Sequence, residues 1–300
     1  MDLIRNLRSR ARITYERLLA PFGERSVQRL LRGGAPSQLA AALRFLFTGH
    51  LPAGAERAAA RIESVRAQIA TRPDTFRYAR FEDPLGPVRL AQQASASMAD
   101  VSCHRLANTI SVSRRWGLFL HLCAEGFGAR TILELGSCVG ISGAYLASAS
   151  TQPVIVTLEG SSALAALARQ TLAAVTDTAE VVVGVFAETL PASLDRLRAD
   201  GTTIDVAFVD GHHEENATLR YVEAIAIRMS RPGLIVLDDI YLYEGMWAAW
   251  QKLASDGRFT SVNVGRFGLL IADDSAGVHP RYDLARYTGY WRVGPPRNVD

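Results

Sequence analysis

From residue 113 onward the chain alternates short, continuously apolar runs with longer amphipathic ones, and this rhythm constrains the fold most tightly. A helix over 113–125 leads to TILEL, a glycine turn and a helix ending at Ala149; VIVTLE, EVVVGVF, IDVAFVD and GLIVLDD then each precede a helical segment. Five β-α units result. Strands rich in β-branched residues and lacking a polar face need cover on both sides, which helical crossovers of a parallel sheet provide. The pattern predicts a doubly wound, mostly parallel α/β fold of seven strands. The last two come from FTSVNV-GR-FGLLIA, two apolar runs that form an antiparallel hairpin around Gly265-Arg266.

The flanks are of another kind. Residues 1 to about 70 read as helical, with Ile4, Leu7, Ala11 and Leu18 on one face and Arg5, Arg8, Arg12 and Arg17 over the remainder. Such an arm packs on its own domain or on a second copy, which makes a homodimer through the N-terminal helices an expectation. A membrane-surface helix and a transit peptide are the alternatives, the latter opposed by Asp2, Glu16 and Glu24. GGAP at 33–36 and LPAG at 51–54 break the region into separate helices. Residues 71–112, with Pro73, Pro84, Gly86 and Pro87, read as a connector. The division is therefore 1–112, 113–272 for the α/β domain, and a C-terminal tail, 273–300.

Composition narrows the function classes. A hydrophobic content of 48% supports a sizeable core. The net charge of +3 is only mildly basic and its positive charges are almost all arginine, with Lys252 the only lysine, so nucleic acid is not the expected partner. No apolar run approaches the ~18 residues of a membrane span. Cys103, Cys123 and Cys138 form no CxxC pair and no disulfide framework, so a reducing, cytoplasmic setting is expected. His104 adjoins Cys103, but neighbouring side chains point apart, and a structural role is expected for both.

Ligands of doubly wound sheets sit beyond the carboxyl ends of the strands at the switch point, where LELGSCVGIS (133–142) lies. A dinucleotide turn needs a bare middle glycine for the pyrophosphate to approach; Cys138 stands there instead. An acid at the strand's end suits a cationic ligand better than an anionic one. Glu159, ending VIVTLE, can accept both hydroxyls of a ribose. The order ILELGSCVGIS, VTLEG, IDVAFVDG, GLIVLDDI and final hairpin resembles the class I S-adenosylmethionine-dependent methyltransferases over about residues 113–272. Within them, ELGxxxGIS with DGxH and LDDI looks most like the small-molecule O-methyltransferases. The resemblance implies that Glu134, the turn Gly136, Ser137, Cys138 and Gly140, and Ser142 hold the methionine part of S-adenosylmethionine. It further implies that Glu159 and Gly160 hold the ribose, that Ala187 and Glu188 border the adenine, and that Asp210 faces the cofactor or the acceptor. A nucleotide-dependent oxidoreductase and a non-catalytic binding or scaffold protein of the same fold are the rival readings.

Methyl transfer to a hydroxyl requires that its proton be managed, by a general base or by a divalent cation that acidifies it. Asp210, Asp238 and Asp239 end the fourth and fifth strands and would be neighbours, an oxygen-rich set suited to Mg²⁺. Helix capping is the alternative role for the same aspartates. In VDGHHEEN (209–216) adjacent side chains of a helix start project about 100° apart, so the two histidines and two glutamates cannot wrap one ion. His213 takes the DGxH position and is the expected base, with His212 as the second candidate. Tyr241, Tyr243 and Trp247 are expected to line the acceptor site and Trp250 to be core.

Overall fold

Successive side chains of a strand leave a sheet on opposite faces, and the two apolar clusters of this protein sort by that rule. Ile132, Val206, Phe208, Leu234, Val236, Leu269 and Ile271 belong to one cluster; their chain neighbours Leu133, Ala207, Val209, Ile235, Leu237, Leu270 and Ala272 belong to the other. Both faces of the sheet are therefore covered. Each fully buried Leu, Ile or Val stabilises the fold by roughly 1.5–3 kcal/mol. This sorting is seen in a computed structural model that describes residues 21, 23–25, 27–33, 37–80, 97–242, 244–274, 279–285 and 288, with only the backbone at 78–80 and 97–99.

The described elements run α1 (Ala40–Thr48), α2 (Ala55–Ala70), β1 (Thr75–Arg80), β2 (Ser97–Ser102), α3 (Arg114–Gly126), β3 (Thr131–Leu135), α4 (Ile141–Ala147) and β4 (Val154–Glu159). They continue α5 (Ser162–Ala173), β5 (Ala179–Val183), α6 (Phe186–Ala199), β6 (Ile204–Val209), α7 (Glu215–Ala226), β7 (Met229–Leu237), α8 (Glu244–Ala254), β8 (Thr260–Asn263), β9 (Gly268–Ala272) and β10 (Arg281–Asp283). The main sheet has the order β10-β8-β9-β7-β6-β3-β4-β5. From β7 to β5 all neighbours are parallel, and β9 is antiparallel to both β7 and β8. The predicted doubly wound sheet and hairpin are both present.

Three differences have physical reasons. The sheet has eight strands, not seven, because Arg281–Asp283 pairs parallel to β8 and extends it into the tail that the sequence left unassigned. Three residues are too short to carry a periodicity. The connector contains a separate antiparallel pair, β1 with β2, whose partners lie too far apart in sequence to announce a hairpin. The amphipathic run NATLRYVEAIAIRM (216–229) reads as a helix to its end, but Met229 opens β7 because it pairs with Ile204 of β6.

The helical N-terminal region is tied to the α/β part. Val27, Leu30, Leu43, Leu46, Ile62 and Ile69 share a cluster with Trp116, Phe119, Leu146 and Ala168. Arg66, only 7% exposed, donates from Nη1 to the carbonyl of Ala107 and from Nη2 to that of Val112 at 2.7 Å, and its Nε meets Glu63 at 3.0 Å. Tyr145 on α4 donates to Glu63 at 2.8 Å. The arm bearing Ile4, Leu7, Ala11 and Leu18 lies outside the described residues.

Candidate active site

The strand order reverses between β3 and β6, and there two loops touch. Gly136 has φ +98°, and a Cβ on it would stand 2.0 Å from the carbonyl oxygen of Asp210. Only glycine allows that approach. Gly140, at φ +84° and closely packed on Ala168, starts α4. Cys138 between them also has positive φ, 48°. Its backbone N–H donates to Glu159 Oε2 at 2.8 Å while that of Ser161 donates to Oε1 at 2.9 Å. The carboxylate that ends β4 thus braces the turn after β3. Burial of Cys138, with Glu159 near, holds its thiol protonated well above the usual range.

Glu134 lies beneath this turn with no exposed surface. Its Oε2 accepts from Thr157 Oγ1 at 2.6 Å, and Thr157 in turn meets Ser137 Oγ at 2.5 Å. Its Oε1 is buried without a hydrogen-bond partner. Burial pushes the carboxyl up to about 7, opposed by the hydroxyls of Ser142 and Thr157 and aided by the negative charge of Glu159. A buried charge-bearing oxygen without a donor is unfavourable unless something completes it. Among the cofactor residues expected from the sequence, Glu134, Gly136, Ser137, Cys138, Gly140, Ser142 and Glu159 are gathered here. Gly160 is exposed with open space around it. Ala187 and Glu188 are exposed in the first turn of α6, which opens with Phe186, a ring that lies against Gly211.

The second half of the site is charged. Asp238 is fully buried and paired on both oxygens by Arg266, Nε to Oδ1 and Nη2 to Oδ2, each 2.6 Å. Arg266 Nε is also 3.4 Å from Asp239 Oδ1. His213 Nε2 lies 3.5 Å from Asp210 Oδ1, and its Nδ1 is buried without a partner. Burial lowers the His213 pKa, so the neutral imidazole is favoured. Burial, then the charge of Asp238, raises Asp210 well above the usual carboxylate range. The same two causes bring Asp239 to about 7. His212 points elsewhere, with Nδ1 2.8 Å from the hydroxyl of Tyr221.

Arg266 thus joins Asp238 and Asp239, and Asp210 feels the charge of both aspartates. Among the described residues no three His, Cys, Asp or Glu side chains are grouped to hold a metal. Glu214 caps α7, accepting from the N–H groups of Asn216 and Ala217, and Glu215 pairs with Lys252 at 2.6 Å. The rings of Tyr241 and Trp247 adjoin at 4.7 Å between centroids, tilted by 34°. Asn263 donates to the Tyr241 hydroxyl at 2.8 Å. Trp250 is core, and Tyr243 lies outside the described residues. Two residues were missed in the sequence. Thr157 is a hydroxyl inside the apolar run VIVTLE, and Arg266 is a lone cation in a turn between two apolar strands; each is a polar group where the pattern called for none.

Residues 133–240 match the family model of a methyltransferase domain. Two curated relatives are similar over part of their length, both named catechol O-methyltransferase. That of Mycobacterium tuberculosis is 38% identical over 133 residues, 43% of this chain and 56% of the relative. That of Niastella koreensis is 30% identical over 139 residues, 45% and 60% respectively. The chain thus matches less than two thirds of either relative. Among solved structures, cofactor-bound Rv0187 from MTB superposes with a TM-score of 0.50 at 23% identity, covering 81% of this chain and 99% of that one. The Podospora anserina methyltransferase PaMTH1, solved with SAH, gives 0.50 at 18% identity over 75% and 89%. These two establish the likeness of fold. Among the described residues, no helix is long and apolar enough to cross a membrane.

Proposed function

We propose that this chain, whose residues 133–240 carry a methyltransferase domain, transfers a methyl group from S-adenosylmethionine to a hydroxyl oxygen of a small molecule. The observation that carries the reading is Glu134, a fully buried carboxyl with one unpartnered oxygen under a glycine turn at the switch point of the sheet. A cofactor with a positively charged methionine end supplies what that oxygen lacks. The cradle fits it: Gly136 and Gly140 carry no side chain, Cys138 adds a β-carbon but no charge, and Glu159 at the end of β4 is a carboxylate that can accept a ribose hydroxyl. Ala187 and Glu188, exposed at the start of α6, would flank the adenine. When bound, S-adenosylmethionine supplies a methyl group already activated on a sulfonium.

The chain's own task is to place the acceptor and receive its proton. His213 is the base in this reading. Its imidazole is held neutral by burial, its Nε2 faces Asp210, and its Nδ1 lacks a partner. His212 is engaged with Tyr221 and serves the loop's conformation. Tyr241 and Trp247, two adjoining rings tilted by 34°, would form an aromatic wall for a planar acceptor. The names of the two relatives support an aromatic hydroxyl. For a magnesium ion the donors do not fit: both oxygens of Asp238 are bound to Arg266. A homodimer through the N-terminal helices remains part of the proposal, to be checked by light scattering.

The test is calorimetric titration with S-adenosylmethionine and with NAD, followed by transfer of a labelled methyl group to a panel of catechols, phenols and sugars. Saturable binding of the first cofactor only, with label appearing on an oxygen, is expected. Binding of NAD alone would restore the oxidoreductase alternative, and cofactor binding without transfer to any acceptor would favour a scaffold.

A further inference from the structure

Three aspartates close together need positive charge, and here the chain provides it. Arg266 sits in the turn between β8 and β9, and that turn is fixed. Gly265 takes φ +97°, its N–H donates to Asn263 Oδ1 at 2.9 Å, and Val264 N–H donates to the Phe267 carbonyl at 3.0 Å. The Arg266 carbonyl accepts from Ile240 N–H at 3.2 Å, which locks the turn against the segment that carries Asp238 and Asp239. The side chain is 16% exposed and its guanidinium lies 5.8 Å from the Phe267 ring centroid. Both Asp238 oxygens take charge-assisted bonds from it at 2.6 Å. This is a two-point pairing that a planar guanidinium makes and an ammonium cannot.

We propose that Arg266 is the resident cation of the acceptor site, engaging by hydrogen bonding the Asp238 oxygens that a divalent ion would need, so that acceptor positioning in this chain is independent of metal. The proposal rests on the methyltransferase reading. A divalent ion must bind carboxylate oxygens directly, and on Asp238 those oxygens are already engaged. It would also stand beside the guanidinium, where like charges repel in a poorly solvated setting. The guanidinium carries five N–H groups, of which two go to Asp238. Those remaining are of the type that a deprotonated acceptor oxygen binds. Arg266 is thus a positioning residue whose charge substitutes for the ion.

The experiment uses the full chain with S-adenosylmethionine present and Mn²⁺ as the probe, followed by calorimetry and by the paramagnetic resonance of the free ion. The unaltered chain is expected to show no saturable Mn²⁺ binding. Arg266→Met, which frees the Asp238 oxygens, is expected to bind Mn²⁺ saturably. Arg266→Lys keeps a charge at the position and is expected to stay without metal. Stoichiometric Mn²⁺ binding by the unaltered chain would overturn the proposal, and so would an Arg266→Met variant that folds and binds none. Should Arg266→Met fail to fold alone, refolding in Mn²⁺ is expected to rescue it, and absence of rescue counts against the proposal. Cofactor affinity, measured in the same titrations before metal is added, tests the methyltransferase reading separately.

Discussion

Replacing Glu134 by Gln keeps the shape of the side chain and removes its charge. In the folded chain this carboxyl binds its proton more tightly than the unfolded value of 4.5 implies, with a pKa near 7 caused mainly by burial. Its contribution to stability is therefore full below about pH 4.5 and declines as pH rises towards 7. The displacement corresponds to roughly 3 kcal/mol lost across that interval. Without cofactor, Glu134→Gln should lack this loss and should be more stable than the parent above pH 7 by up to about 3 kcal/mol. Cofactor binding should behave in the opposite sense. A cationic ligand needs the ionised carboxylate, so parent affinity should rise with pH through 7 and binding near pH 7 should release a fraction of a proton. The Gln variant should lose about 2–5 kcal/mol of binding energy and show no such proton release. Urea unfolding at several pH values gives the first quantity. Calorimetry in buffers of different ionisation enthalpy gives the second. Equal, pH-independent cofactor affinity in parent and variant would refute the assignment of Glu134 to the cofactor, whatever the unfolding curves showed.

Other expectations follow from single contacts. His213→Gln should lower the methyl-transfer rate by about 10²–10⁴-fold while leaving cofactor affinity within error, as measured by single-turnover kinetics and calorimetry; an unchanged rate removes His213 as the base. Gly136→Ala should destabilise the chain by about 2–4 kcal/mol in urea, since its β-carbon meets the Asp210 carbonyl oxygen at 2.0 Å in a positive-φ conformation. Arg66→Met should cost about 2–4 kcal/mol by leaving the carbonyls of Ala107 and Val112 without their donors. Amide exchange is then expected to quicken in α2 and at residues 106–112 before it does in β3.

The α/β portion was legible because its signals are long and repeated. The apolar strands from TILEL to GLIVLDD could be told from helices by length and by the helical runs between them, and their order placed Glu134, Glu159 and Asp210 at one edge. Glycine spacing marked the turn after TILEL, and the resemblance to the methyltransferases supplied the roles of its residues. What escaped were contacts between distant segments. Nothing near Asp238 in sequence announces Arg266, since a lone arginine in a hairpin turn is ordinarily a solvated one. The unpartnered atoms, Glu134 Oε1 and His213 Nδ1, are properties of packing rather than of spacing. The pairing of β1 with β2 was hidden by the long insertion between them, and β10 by its three-residue length.

The contact of Gly136 with the carbonyl of Asp210 has a consequence for anyone who would redesign this protein. The turn expected to receive the cofactor and the loop that carries His213 abut backbone to backbone, with no side chain between them to absorb a displacement. They behave as a single machined joint. Acceptor-loop sequences grafted from a relative would have to arrive together with the opposing turn, because each loop is the mould in which the other is cast.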